Sequence, residues 1–362
     1  MQKAMKITTT LFPLFLLISL LLCTTFMAVR AENLTTISST GMVRSQTSEL
    51  IVGYGMSGGF VSDTSWGPLG RYFAEYHIQM LAGVGCNILR IGTNYMGWQT
   101  NYQVGANVPD KDYPDYIAQL CQWCRQYGIK VFITMHRYET SGTFDYTDKA
   151  DIIRNNGGAG DAWIAWGVEM IEMCQPDAID TMNEHTSVVT HQEWYDFNVR
   201  SIEAYRAVSP NITIFVEGTR GSGNARGRLD DFMDNPLPYD NIVYYLHRYW
   251  ERMQDSYCYE YRDGDPVLAK QMLYTFLDGE FHINNPDTLW PNVWIGEMGA
   301  YQYQDNKPNN WELAIQGYYD WCEDRDVGHT QYAFGKSNHP MFDTATHTQF
   351  NDAGQLWIDN LP

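Results

Sequence analysis

Stretches rich in apolar and β-branched residues alternate along this chain with stretches in which apolar residues recur every three or four positions. The first kind predicts eight strands, over residues 50–54, 87–91, 130–135, 178–182, 212–217, 242–247, 293–295 and 331–334. The second kind predicts helices between them, most clearly over residues 76–82, 116–127, 163–173, 192–207, 267–277 and 313–324. No glycine-rich nucleotide loop follows any strand, so the alternation favours an α/β fold with a closed parallel (β/α)8 TIM barrel over an open, doubly wound sheet.

The N-terminal residues have the pattern of a secretory signal. Two lysines, Lys3 and Lys6, precede an apolar run from Leu11 to Leu22, and a small-residue end follows at Ala31. The run is short for a membrane span of about 20 residues, although an uncleaved N-terminal anchor is the alternative. We therefore predict a signal peptide over residues 1–31, a short leader over residues 32–48 and one barrel domain over residues 49–362.

The chain is strongly acidic, with a formal net charge of −19, and cleavage of the predicted signal would remove only basic residues from that balance. A surface of this charge repels phosphate, which excludes a general nucleic-acid binder. No comparable apolar run follows the signal. We expect a secreted monomer without membrane contact after cleavage, or a cell-surface protein if the N-terminal segment is retained.

Six cysteines lie beyond the predicted signal: Cys86, Cys121, Cys124, Cys174, Cys258 and Cys322. An even number in a secreted chain permits disulfides, but sequence alone does not select a pairing. Cys121 and Cys124 have the spacing of a zinc or redox half-site, yet they lie in a helical pattern without a second half-site nearby. We favour buried thiols or a disulfide to a neighbouring helix, and we expect no metal and no cofactor.

Two glutamates follow buried strand patterns: Glu184 in the segment TMNEH (181–185) and Glu297 in the segment WIGEMG (294–299). In a parallel barrel the active-site residues cluster at the carboxyl ends of the strands. Hydrolysis of a sugar acetal needs one carboxylic acid to protonate the leaving oxygen and a second carboxylate on the other face of the ring. The two glutamates therefore predict a glycosidase.

Five short segments, taken in strand order, carry a resemblance to a known family. They are NILRI (87–91), ITMH (133–136), MNE (182–184), LHRY (246–249) and IGE (295–297). None is specific by itself, but their order over about residues 50–357 resembles glycoside hydrolase family 5, whose barrels include many cellulases and mannanases.

The resemblance implies roles for the residues in these segments. Glu184 would be the general acid/base and Glu297 the nucleophile, with net retention of the anomeric configuration. Asn183 would hydrogen-bond the sugar 2-hydroxyl. The subsite at the scissile bond would be lined by His136, His247 and Tyr249.

Arg90, on the second predicted strand, is suited to keeping Glu297 ionised because its planar donor fork matches a carboxylate. A purely structural ion pair is the alternative for this arginine. By period-two alternation His247 and Tyr249 share one side of the sixth strand. The same alternation on the seventh strand turns Trp294 away from Glu297, toward the helices, so we assign Trp294 to packing.

The chain departs from the family pattern at three places. His185 follows the acid/base glutamate where proline is usual, and Gly92 takes the place of the usual proline after the strand-two arginine. The tryptophan expected at the end of the eighth strand, where it would stack under the reactive sugar, is also missing. Phe334 or Tyr332 could replace it.

Other tryptophans are candidates for sugar stacking. Trp66, Trp98 and Trp250 follow the first, second and sixth predicted strands in predicted loops, where they could bind a glucan chain or simply pack.

We expect a secreted retaining endo-β-1,4-glucanase, a cellulase that cleaves the O-glycosyl bonds of β-glucan by double displacement. A β-mannanase or another family 5 β-glycanase is the alternative within enzymes, because the same catalytic frame serves both. From a different class, the missing tryptophan suggests a carbohydrate-binding pseudoenzyme.

Overall fold

The computed structural model describes residues 36–37, 43–44, 52–56, 74–99, 113–137, 146–219, 228–249, 265–283, 293–299, 311–334 and 350–361. The predicted signal peptide, Trp66, Trp250 and Cys258 lie outside these ranges. In the predicted leader, the strands Thr36–Ile37 and Val43–Arg44 pair antiparallel. None of the described helices is long and apolar enough to cross a membrane.

Eight parallel strands close into a barrel, which confirms the predicted (β/α)8 fold. They are β1 (Val52–Met56), β2 (Ile88–Asn94), β3 (Lys130–Arg137), β4 (Ala178–Asp180), β5 (Thr213–Glu217), β6 (Ile242–Tyr249), β7 (Val293–Gly299) and β8 (Gly328–Phe334). Each strand pairs with the next, and β8 closes the barrel against β1. Because β7 runs on to Gly299, Glu297 lies within a strand rather than in the loop after it.

Helices connect the strands and pack around the barrel. The described helices are α1 (Glu75–Gly83), α2 (Tyr95–Gln99), α3 (Tyr113–Gln126), α4 (Tyr146–Arg154), α5 (Ala159–Cys174), α6 (His191–Val208), α7 (Asp230–Asp234), α8 (Pro266–Glu280), α9 (Trp311–Arg325) and α10 (Asp352–Asp359). The six predicted helices correspond to α1, α3, α5, α6, α8 and α9. Helix α2 occupies a stretch that we predicted as a loop, and the short helices α4, α7 and α10 were not predicted, because the helical period is detected reliably only over windows of about 11–18 residues.

Aromatic and aliphatic side chains fill the barrel interior. The buried cluster there consists of Ile88, Phe132, Ala178, Phe215, Val243, Tyr245 and Trp294. The rings of Phe132 and Phe215 stack with their centroids 4.1 Å apart, and the Trp294 ring meets Phe215 edge-on at 5.5 Å. The barrel is therefore a packed core beneath the site rather than a pore.

The predicted orientation of Trp294 is wrong: its side chain lies inside the barrel, not among the helices. The reason is a β-bulge in β7, since Ile295 pairs with Leu246 whereas Glu297 pairs with the next residue along β6. The extra residue breaks the period-two alternation, so Trp294 and Glu297 both face inward. A Cβ at the intervening Gly296 would lie 2.3 Å from Cδ2 of Tyr245, which leaves glycine as the residue that fits. The packing role of Trp294 stands.

The cysteines that the structure describes are buried. Cys121, Cys124, Cys174 and Cys322 are free thiols, and the Cys86 thiol donates to the Ile88 carbonyl oxygen at 3.2 Å. Cys121 and Cys124 both lie on α3, as their helical pattern predicts. Among the alternatives left open by the sequence, this arrangement corresponds to buried thiols.

Candidate active site

Glu297 lies on β7 at the carboxyl end of the barrel, beside Arg90, His136 and His247. Its Oε1 accepts a hydrogen bond from Nη1 of Arg90 at 2.6 Å and lies 3.7 Å from Nε2 of His136. Its Oε2 lies 3.5 Å from Nδ1 of His247. Burial alone would raise the pKa of Glu297, but His247, Arg90 and the nearby His136 outweigh it and hold that pKa well below its usual range. Glu297 is therefore ionised over the whole neutral range.

Glu184 stands opposite, in the segment that follows β4. Its Oε1 lies 3.2 Å from Nδ1 of His247, so one imidazole nitrogen faces both carboxylates. The Glu184 side chain is 20% exposed, whereas that of Glu297 is 5% exposed. The more exposed carboxyl has access to solvent and can exchange a proton with it, while the buried carboxylate stays charged.

The ligating atoms of Glu184, His247 and Glu297 all lie within 4.8 Å of one another, which would also suit a metal ion. Arg90 already supplies positive charge to Glu297 at hydrogen-bonding distance. A pair of carboxyls of this kind, one ionised and one open to solvent, is able to carry out acid–base and nucleophilic chemistry.

Arg90 is fully buried on β2 and binds three groups with one guanidinium. Besides Glu297, it donates from Nη2 to Oδ1 of Asn183 at 2.6 Å and to Oγ1 of Thr134 at 3.0 Å. The fork thus fixes the Glu297 carboxylate relative to Asn183, the residue that precedes Glu184. A lysine ammonium could carry the charge but could not reproduce this planar arrangement.

A second buried carboxylate, that of Asp180, also lies close to the Arg90 guanidinium. It accepts hydrogen bonds from Oγ1 of Thr134 and from the Met135 N–H, and its Oδ2 lies 3.7 Å from Nη2 of Arg90. Because the Thr134 hydroxyl gives its only hydrogen to Asp180, its oxygen is free to accept from Arg90. Burial raises the pKa of Asp180, and Arg90 together with these donors opposes the rise.

Replacing Arg90 with lysine is expected to lower kcat by about 100-fold, the size of effect that a displaced catalytic group produces. Loss of the fork weakens the stabilisation of the Glu297 carboxylate, so the pKa of Glu297 rises. The nucleophile must be ionised, and the acidic limb of the pH–rate profile should therefore move to higher pH. The kcat/KM profile and Tm are measured on the same purified variant.

If Arg90 instead forms a purely structural ion pair, we expect the opposite effects on stability and on rate. In that case Tm falls while kcat in the folded fraction is nearly preserved. A large loss of stability with an unmoved acidic limb would remove Arg90 from the catalytic group.

The other implied residues take different positions. Asn183 is fully buried, and within the described residues nothing accepts a hydrogen bond from its Nδ2, which leaves a donor for a ligand hydroxyl. His136, on β3, is also buried, and it is close to Glu297. For Tyr249 and Phe334 the structure describes the backbone: Tyr249 pairs with Gly299, and Phe334 ends β8.

Trp98 lies on the short helix α2 rather than in a loop. It is 6% exposed, and its indole N–H donates to Oε2 of Glu169 on α5 at 2.9 Å. This geometry favours the packing alternative for Trp98. The other two tryptophan candidates, Trp66 and Trp250, lie outside the described residues.

Sequence reasoning missed three residues that contact the residues of the site: Thr134, Asp180 and Lys149, whose ammonium donates to the backbone carbonyls of Asn183 and Glu184. Thr134 and Asp180 had a signal, because each lies two residues after a barrel-interior position, at Phe132 and Ala178, and a polar residue on that face of a buried strand calls for a partner. Lys149 had none, since it lies on a helix that the pattern did not predict.

The family and structure comparisons agree with one another. A family model described as Cellulase (glycosyl hydrolase family 5) matches residues 53–338. No curated protein matches the chain in sequence.

Three solved structures illustrate the likeness in fold. An endocellulase from the archaeon Pyrococcus horikoshii superposes with a TM-score of 0.65 at 16% identity, over 88% of this chain and 95% of that one. The catalytic domain of a Thermobifida fusca endoglucanase, in complex with cellotetraose, gives 0.61 at 16% identity, over 90% and 96%. A β-glucanase from Saccharophagus degradans, also with cellotetraose, gives 0.62 at 15% identity, over 88% and 89%.

Proposed function

The chain belongs to glycosyl hydrolase family 5 and is a glycoside hydrolase, and from this premise we propose that it is a secreted, retaining endo-β-1,4-glucanase. The observation that carries the proposal is the pair of carboxyls at one imidazole, with Glu297 held ionised by Arg90 and Glu184 partly open to solvent. One fixed anion and one exchangeable carboxyl are the two groups that a glycosidase needs.

The separation of the carboxyls supports retention. An oxygen of Glu184 and an oxygen of Glu297 lie within 4.8 Å of each other. Retaining enzymes hold their carboxyls about 5–5.5 Å apart, whereas inverting enzymes need about 6.5–9.5 Å to admit a water molecule. A gap this small favours direct attack of Glu297 on the anomeric carbon.

The reaction would proceed in two displacements. Glu297 attacks the anomeric carbon while Glu184 protonates the departing glycosidic oxygen, which gives a glycosyl-enzyme. Glu184, now ionised, then takes a proton from water as the water releases the sugar from Glu297. The Asn183 amide would donate to the 2-hydroxyl, a hydrogen bond that strengthens as the oxocarbenium ion develops.

The substrate and the location are part of the same proposal. Two structural relatives are recorded with cellotetraose, which supports a β-1,4-glucan substrate. A signal peptide over residues 1–31 would direct the chain out of the cell, where a polysaccharide of this kind is found. We expect a monomer whose partner is the polysaccharide itself, with no nucleic acid and no membrane after cleavage.

Reducing-end release from carboxymethylcellulose, lichenan and glucomannan, measured in parallel, tests the proposal. An endo-β-1,4-glucanase releases ends from the first two, whereas release from glucomannan alone would indicate a β-mannanase. Binding without release from any of them would indicate the pseudoenzyme. Proton NMR of the first products reports stereochemistry, and an α-configured initial product would contradict retention.

The missing tryptophan gives a further prediction, at Phe334. If this ring stacks under the reactive sugar, Phe334→Ala should raise the barrier to turnover by about 1–3 kcal/mol. Phe334→Trp should be tolerated. The measurement is kcat/KM on an aryl β-cellobioside for both variants and for Tyr332→Ala.

Tyr332→Ala is the informative control because the register of β8 against β1 shifts between residues 332 and 334. Alternation therefore does not decide which ring faces the barrel mouth. Unchanged kinetics at 334 with a large loss at 332 would transfer the stacking role to Tyr332, and no loss in either would show that another residue stacks on the sugar.

A further inference from the structure

Glu184 has an unusual backbone conformation. Its φ is +44°, in the left-handed region that residues with a Cβ seldom adopt, and glutamate lacks the short polar side chain that helps asparagine there. Such a conformation persists only where the surrounding structure determines it. The direction of the Glu184 carboxyl therefore depends on whatever holds its backbone.

Strand β4 ends at Asp180, and the segment beyond it, which carries Glu184, keeps two backbone hydrogen bonds: the N–H groups of Thr181 and Asn183 donate to the carbonyls of Phe215 and Met135. The carbonyl groups of this segment need other donors. The Thr181 carbonyl accepts from the Trp163 indole N–H at 2.9 Å. The carbonyl oxygens of Asn183 and of Glu184 itself both accept hydrogen bonds from the same nitrogen atom.

That nitrogen is Nζ of Lys149, on helix α4. It donates to the Asn183 carbonyl oxygen at 2.6 Å and to the Glu184 carbonyl oxygen at 2.9 Å. Lys149 is only 4% exposed, and an ammonium is buried at such a position only with hydrogen-bond acceptors. Lysine suits the task because its three N–H groups radiate from one atom.

Two consecutive carbonyls can meet one donor only where the chain turns. In an extended strand, successive carbonyl groups point to opposite sides, so a single ammonium could not reach both. The two bonds to Lys149 therefore require the turned backbone at Glu184, and they stabilise it by the same geometry.

The residue after Glu184 does not restrict the backbone by itself. His185 stands where the family usually has proline, and it is fully buried, with its ring stacked on Trp194 at 4.0 Å and an interplanar angle of 3°. Stacking anchors the side chain but leaves φ unrestricted, unlike a proline ring. The segment is thus held by the Asn183 N–H bond to Met135 before Glu184, by the His185 stack after it, and by the Lys149 bonds at Glu184 itself.

We propose that Lys149 is a positioning residue for the acid/base: it fixes the left-handed backbone of Glu184 and thereby the place of the carboxyl that protonates the leaving group. The inference rests on the proposed role of Glu184. It assigns Lys149 no contact with substrate.

Lys149→Met tests the inference, because methionine is unbranched and close in length but offers no donor. For cellotetraose, whose leaving group needs a proton, kcat/KM should fall by about 10- to 100-fold, as expected when a catalytic group is displaced. For 2,4-dinitrophenyl β-cellobioside, whose leaving group needs none, kcat/KM should change by less than about threefold. A merely structural lysine would not produce this dependence on the leaving group.

Three other variants complete the test. Lys149→Arg keeps the charge and donors if methionine prevents folding, and it should give a smaller loss with the same dependence on the leaving group. Lys270→Met is the matched control, since Lys270 lies on α8 and its partners are Asp320 and Tyr274 rather than the site. Tm is measured for each variant.

Glu184→Gln, assayed in parallel, separates the two hypotheses. If Glu184→Gln depends on the leaving group and the Lys149 variants lose activity equally on both substrates, or not at all, the positioning role is overturned while the acid/base assignment survives. If Glu184→Gln itself shows no such dependence, the acid/base assignment fails and the inference about Lys149 fails with it.

Discussion

Glu297→Gln is expected to lower kcat on β-glucan by on the order of 10⁵-fold or more, the scale of loss when a covalent nucleophile is removed. Glutamine keeps the shape of the side chain but cannot form the glycosyl-enzyme. In the native site the carboxylate accepts from Arg90 and faces His136 and His247, and these three neighbours favour its charged form. The measurement is reducing-end release, with circular dichroism to show that the fold is intact.

Azide rescue identifies the role of Glu297 beyond its importance. In Glu297→Gly the missing side chain leaves room for azide on the face of the sugar opposite the leaving group. An activated aryl β-cellobioside should then give an α-configured glycosyl azide. A β-configured azide from this variant, or near-normal turnover by Glu297→Gln, would contradict the assignment as nucleophile.

Glu184→Gln is expected to lower kcat/KM on unactivated substrates by about 10²- to 10⁴-fold, the usual contribution of general acid catalysis. The alkaline limb of the pH–rate profile reports deprotonation of the acid, so it should flatten in this variant. The loss should be small for 2,4-dinitrophenyl β-cellobioside, whose leaving group departs without a proton. Steady-state kinetics over pH on both substrates supply the check.

Azide distinguishes Glu184 from Glu297 by stereochemistry. Because Glu297 remains in Glu184→Gln, the glycosyl-enzyme still forms, and azide should release it as a β-configured product. An α-configured azide here would exchange the roles of the two glutamates. Unaltered activity in Glu184→Gln would remove it from the mechanism.

The sequence by itself determined the order of elements and the positions of the two glutamates. Eight strands and six long helices were predicted because buried strands and amphipathic helices leave local periodic patterns. Glu184 could be placed at the carboxyl end of the barrel because it follows a buried strand, and barrel topology brings such positions to one end. Even Asp180 was open to prediction, since a carboxylate on the inner face of a strand needs partners.

Only the tertiary structure decided the register and the contacts between elements. Period-two alternation put Trp294 on the wrong face because β7 has a bulge at Gly296, where a side chain would collide with Tyr245 on the neighbouring strand. The three groups bound by Arg90 come from β3, from the segment after β4 and from β7, and no local pattern encodes that convergence. No local pattern encodes the contact between Lys149 and the Glu184 backbone either. Periodicity shows which side of an element is buried, but the residue that lies opposite depends on how the whole chain packs.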